Sequence, residues 1–188
     1  GRRIKLNLAY DVVLRVYELQ RDEWFDGTGK MDLSLRMLVI NYGKVRRISY
    51  AEKAELLQQI FEQHIIVKSK QTGNYQKVVD FEQDARYIYA SFLMDYGIDL
   101  VDQRGKLDWR KFFALFQGLS DKTKIREVMS IRTKTIPTPS KYNAEEIKLL
   151  REAKAYYALK VSAEDTEEQF QQGLNRLANT LEQRAKGR

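Results

Sequence analysis

A chain of 188 residues with 43% hydrophobic content is long enough to bury one substantial core, and its net charge of +7 leaves room for an anionic partner. It has no cysteine and one histidine, His64. That excludes a disulfide framework and thiolate chemistry, and leaves His-based zinc sites and Ser-His-Asp triads without their parts.

No apolar run approaches the ~20 residues of a membrane-spanning helix. Lys5 and Asp11 interrupt the first apolar residues, so no signal-peptide pattern is expected. Only two prolines, Pro137 and Pro139, interrupt a composition that favours helix.

Leu8, Val12, Val16 and Leu19 recur at three- and four-residue steps, which predicts a helix from Asn7, as N-cap, to about Phe25. Asp26-Gly27-Thr28-Gly29 then breaks the chain, and Asp32 is placed to cap a helix over Leu33 to Asn41. That second helix is apolar nearly all round, so burial on several sides is expected. Ser49 to Glu52 has capping-box form and opens a helix to about Ile65, with Ala54, Leu57, Phe61 and His64 on one stripe. His64 is read as a half-buried packing residue. The polar, basic stretch from residue 66 to 78 reads as a loop.

Asp80 to Gln83 is a second capping box, leading into a stripe of Phe81, Ala85, Ile88, Phe92 and Tyr96 that Gly97 ends in the left-handed region. A turn around Gly105 follows. Trp109, Phe112, Phe113 and Phe116 then lie at i, i+3, i+4 and i+7 of the next helix. Ser120 is placed to cap another helix, with Ile125, Val128 and Met129 facing inward. Thr135 to Ser140, with both prolines, is the clearest break. Asn143 to Glu146 is a third capping box, opening a helix to about Lys160. Ser162 caps the last helix, where Phe170, Leu174, Leu177 and Leu181 continue a heptad-like stripe too short for a coiled-coil assignment. The fold expected is all-α: a compact domain of six to eight helices over residues 1–136, a linker over 137–142, and a C-terminal helical arm over 143–188.

Tests for chemistry fail one by one. Asp99, Asp102, Gly105 and Asp108 resemble a calcium loop, but placing Gly105 at position 6 puts Leu100 at position 1 and Lys111 at position 12, both wrong for oxygen ligation. Glu145-Glu146 and Glu167-Glu168 sit where helix dipoles alone favour acids. Gly27-Thr28-Gly29-Lys30 lacks the spacing of a phosphate loop. Basic clusters occur at Lys44/Arg46/Arg47, Lys68/Lys70, Lys122/Lys124/Arg126 and Arg132/Lys134. The last five could line one edge of a helix and steer an acidic partner or, less favourably, nucleic acid. Tyr87 and Tyr89 fall off the main stripe and are expected to be exposed contacts.

Ile88 to Leu93, Asp95 to Leu100, Leu107-x-Trp109-x-x-Phe112-x-Ala114-Leu115, Gly118-Leu119 and Ile131 to Lys134 together resemble the signature of a small tail-module family of tailed phages of Gram-positive hosts, sometimes called gp-fifteen. The likeness covers most of the chain and is strongest over residues 80–134. It implies a role in building the tail, from a gene between those for the tail tube and the tape measure. Proteins in that position usually act as assembly chaperones that hold the tape-measure protein and recruit tube subunits, in the host cytoplasm.

The resemblance supplies no catalytic residue and no cofactor. The leading expectation is therefore a non-enzymatic chaperone binding the tape-measure protein or tail tube protein, with a homo-oligomer as a further option. Phe170, Leu174, Leu177 and Leu181 would be the first contact stripe, offered to a partner helix or packed on the chain itself. The rivals are a structural component of the virion tail or connector, and a basic nucleic-acid-binding module.

Overall fold

The computed structural model of the chain describes residues 3–66 and 78–160. Its α-helices are α1 Tyr10–Arg21, α2 Gly27–Leu38, α3 Tyr50–Ile60, α4 Ala85–Tyr96, α5 Trp109–Gln117, α6 Lys124–Thr133 and α7 Ala144–Tyr156. A 3₁₀ turn, Tyr42–Lys44, precedes α3, and a π-helical turn, Phe61–Ile65, prolongs it. The fold is all-α, as composition and periodicity predict. The chain falls into two compact units, Gly1–Pro137 and Thr138–Arg188. The loop expected over 66–78 lies, except for its ends, outside the described residues. So do the helix expected from Ser162 and its stripe Phe170, Leu174, Leu177 and Leu181.

In the first unit α1 packs on α2 and α5, α2 on α3, and α4 on α5 and α6. The centre is aromatic. Phe112 is 1% exposed and stacks on Tyr10 at 4.8 Å, Phe92 at 5.1 Å and Trp109 at 5.6 Å between ring centroids. Phe81 meets Trp109, Phe112 and Phe116 edge-on or tilted. Offset and tilted pairs of this kind add to the area each ring buries. The polar ends are satisfied: Trp109 Nε1 donates to the Ile65 carbonyl at 2.8 Å and the Tyr10 hydroxyl to the Leu100 carbonyl at 2.5 Å.

α1 starts at Tyr10 rather than after Asn7, because tertiary partners take the backbone groups of residues 5–9. Asn7 N donates to the Leu38 carbonyl and Ile40 N to that of Lys5, while Trp109 N donates to Leu8 and Tyr10 N to Leu107. These exchanges form two isolated antiparallel bridges, Leu6 with Val39 and Ala9 with Asp108. Buried backbone donors and acceptors must find partners, and an extended segment laid between two others satisfies them as well as a helical turn would. The buried face of α1 is accordingly Tyr10, Val13, Val16 and Leu19, displaced from the predicted stripe.

α2 begins at Gly27, six residues before the predicted Leu33. The Asp26 carboxylate accepts from Gly29 N at 2.6 Å and from the Thr28 hydroxyl, so an N-cap outweighs the poor helix propensity of two glycines. Asp32 is therefore a mid-helix residue, not a cap. It pairs with Lys53 at 2.8 Å and Arg36 at 2.9 Å and accepts from the Tyr42 hydroxyl, which ties α2 to α3. The lysine hydrogen bond, then the tyrosine one, holds its carboxyl well below the usual carboxylate range. The Ser49/Glu52 capping box forms as predicted.

Asp80 accepts from Glu82 N and Gln83 N, but the reciprocal partner of its own N–H is the Asp84 carboxylate, not Gln83, and α4 proper begins only at Ala85. Gly97 ends α4 at φ 62°, the left-handed cap the sequence predicts. α6 is capped from a distance. Ser91, fully buried in α4, accepts from Ile125 N at 3.1 Å and donates to the Tyr87 carbonyl. Ser120, the predicted cap, instead donates to Asp95.

In the second unit, Ile147 and Leu150 form the buried face of α7. Asn143 makes no capping bond to that helix. Its side chain accepts from Ser140 N at 2.7 Å and donates to the Thr138 carbonyl at 3.0 Å, bracing the Pro-containing turn.

Candidate interaction surfaces

The basic residues from 122 to 134 do not share an edge. A helix turns ~100° per residue, so positions two apart point ~200° apart. Lys122 precedes α6 and is exposed, and Lys124 pairs with Glu127 at 2.9 Å. Arg126 turns back to α5, where it donates to the carbonyls of Leu119 and Gln117 and so satisfies backbone acceptors at that helix end. Arg132 is internal. Its guanidinium grips Asp84 at 2.7 and 2.8 Å and donates to the Val78 carbonyl, with side chains 10% and 1% exposed. Lys134 is exposed beyond the helix end. Steering by five clustered cations is therefore replaced by two exposed lysines, with Arg126 and Arg132 engaged in holding the fold.

Tyr87 and Tyr89 are half-buried and pack on the core instead of standing free. They flank Ile88, and a helix enclosed on adjoining faces covers both sides of its central stripe. The Arg86 guanidinium lies 4.7 Å from the Tyr87 ring centre and donates to its hydroxyl. Tyr89 donates to Asp99 at 3.0 Å, and that bond raises the phenol above its ordinary pKa. Two carboxylates of the calcium-like turn face backbone donors: Asp99 accepts from Val101 N, and Asp108 from Arg110 N as the N-cap of α5.

Periodicity alone misses a groove along α1. One part, a cavity of about 370 Å³, is lined by Leu14, Tyr17, Phe81, Trp109 and Phe113 with Ile65 and Ile66. An adjoining part of about 330 Å³ runs past Tyr10, Ile88, Tyr89, Leu100 and Val101. Leu14, Glu18, Phe81 and Glu82 border both. Burial raises the Tyr17 and Tyr10 phenols, as a poorly hydrated floor should. The groove follows 12 residues of α1, about 18 Å. Its rim mixes charges: Glu18, Glu82 and Arg21 at the first part, and Glu18, Glu82, Asp11, Arg15 and Arg104 at the other. The sequence signal was present in Leu14 and Tyr17, apolar residues of α1 that belong to no predicted stripe.

The family model described as Bacteriophage Gp15 protein matches residues 1–159. The chain belongs to that family. As a Gp15 family member it is a bacteriophage protein, and the match runs through both the aromatic core and the groove. The resembling segments of residues 88–134 prove mainly architectural here: Gly97 caps α4, Trp109 and Phe112 centre the core, and Arg132 holds Asp84. No curated protein and no solved structure matches the chain.

Proposed function

We propose that this Gp15 family member is a tail assembly chaperone of phages or prophages of Gram-positive hosts, acting without catalysis in the host cytoplasm and binding the tape-measure protein, the tail tube protein, or both. Membership of a bacteriophage family sets the context. The observation that carries the reading is the apolar groove along α1, whose length matches about three turns of a partner helix. A tape-measure protein is long and helical. An amphipathic helix recognised at i, i+3, i+4 and i+7 would seat its apolar stripe between α1 and the Phe81–Phe113 wall. The C-terminal stripe Phe170, Leu174, Leu177 and Leu181 is the second contact in this proposal. No helix among the described residues is long and apolar enough to cross a membrane.

The test is a pull-down and titration of the full chain with tape-measure fragments and with tube protein. The expected result is binding that Leu14→Glu weakens at least 10-fold while the helical circular dichroism is retained, since a charge set in an apolar anchor position costs more than ~1.4 kcal/mol. Phe170→Glu with Leu177→Glu tests the second contact in the same assay. Failure of the intact chain to bind either partner, together with its presence in purified virions by mass spectrometry, would refute the reading and favour a structural tail component.

A further inference from the structure

The turn between α1 and α2 presents a nearly bare indole. Trp24 is 94% exposed and Phe25 42% exposed. Large aromatics so uncovered are unusual on a soluble surface and are the side chains most enriched at binding hot spots. The turn is also held in shape. Asp22 accepts from Trp24 N at 2.9 Å on one side, and Asp26 accepts from Gly29 N at 2.6 Å on the other. The backbone that carries its two exposed aromatics is thus ordered before binding, which leaves the side chains alone to be ordered. Asp22, Glu23 and Asp26 surround them with negative charge in a chain whose net charge is +7. Those acids oppose docking on nucleic acid or on an anionic lipid surface, and they match a partner that is apolar and basic.

A surface of that chemistry lies past the other end of α2. Ile40 is 66% exposed, Lys44, Arg46 and Arg47 are exposed, and Tyr50 follows at 58%. Neither Arg46 nor Arg47 forms an ion pair among the described residues. The acidic aromatic loop and this basic apolar surface are separated by the 12 residues of α2, about 18 Å. Two complementary patches at opposite ends of one helix cannot meet within a molecule. They can meet between copies, and such a contact is heterologous: it builds rings or filaments according to the angle it sets.

We propose that copies of this chain associate head to tail, the Trp24–Phe25 loop of one docking on the Ile40 to Arg47 surface of the next. Salt weakens the contact, because its rim is ionic and exposed. Assembly also carries its own signal. The chain has two tryptophans, and Trp109 is buried at 2% exposure, so a concentration-dependent blue shift in emission reports Trp24.

Sedimentation velocity of the full chain over a concentration series tests this. Wild type is expected to form species larger than a dimer that shrink at high salt. Trp24→Ser, at a site outside the core, should weaken association about 30-fold. Arg46→Glu with Arg47→Glu should do the same. Because each variant keeps the opposite patch, an equimolar mixture of the two should form a dimer that grows no further. A wild type that stays monomeric or stops at a dimer overturns the proposal. So does unchanged assembly of Trp24→Ser, or a mixture that remains monomeric.

Discussion

Replacing Arg132 with methionine keeps most of the side-chain volume but strands a carboxylate. Asp84 is 1% exposed in its side chain, and both its oxygens are held by the guanidinium at 2.7 and 2.8 Å. In the variant Asp84 keeps the donor Asp80 N at 3.0 Å, and the Val78 carbonyl loses a donor as well. Removing one partner of a buried ion pair costs about 3–5 kcal/mol, because the other charge stays buried without compensation. For a chain of this size each kcal/mol moves Tm by roughly 2–4 °C, so the expected loss is about 6–20 °C.

Thermal unfolding followed by circular dichroism measures it. The variant Arg132→Lys keeps the charge and loses the two-pronged geometry, and should fall between. Asp84→Leu combined with Arg132→Met removes both charges and should be more stable than Arg132→Met alone. A Tm loss under about 2 °C for Arg132→Met would refute the reasoning, since it would mean that water reaches Asp84 in the folded state.

Three further outcomes follow from the same structure. Phe112→Ala removes the ring on which Tyr10, Phe92 and Trp109 stack and should cost about 3–5 kcal/mol, read from the urea midpoint. Ser91→Ala leaves Ile125 N without its buried acceptor and should cost about 1–3 kcal/mol, although Ser91 belongs to a different helix. Asp32 titrates below its ordinary value, so its contribution is complete above the unfolded pKa of about 3.9 and is lost as pH falls through the depressed folded value. Asp32→Asn should therefore be less stable than wild type at neutral pH, with the gap closing as pH drops below about 4. A gap that widens on acidification would contradict the assignment.

Much of the fold was legible in local pattern. Trp109, Phe112 and Phe116 at helical spacing became the core, Ser49 and Glu52 formed their capping box, and Gly97 took the left-handed conformation. Each depends on residues within one or two turns, where propensity, capping and steric permission act. The candidate surfaces were less legible. The basic cluster of residues 122–134 counts charges along the chain, whereas the helix distributes them around its axis, sending Arg126 to α5 and Arg132 to Asp84. Tyr87 and Tyr89 were placed outside by their distance from the main stripe, but a helix packed on several sides has more than one buried face.

By itself, the sequence determined the helical class, the aromatic centre and the break at Pro137 and Pro139, because periodicity, side-chain volume and proline stereochemistry are properties of neighbouring residues. The tertiary structure alone decided where α1 and α2 begin, which serine caps α6, and which charges are internal. Those outcomes depend on donors and acceptors brought together from distant positions: Asn7 with Leu38, Ser91 with Ile125, Arg132 with Asp84. A buried polar group takes whichever partner the packing supplies, and a partner dozens of residues away leaves no trace in local spacing.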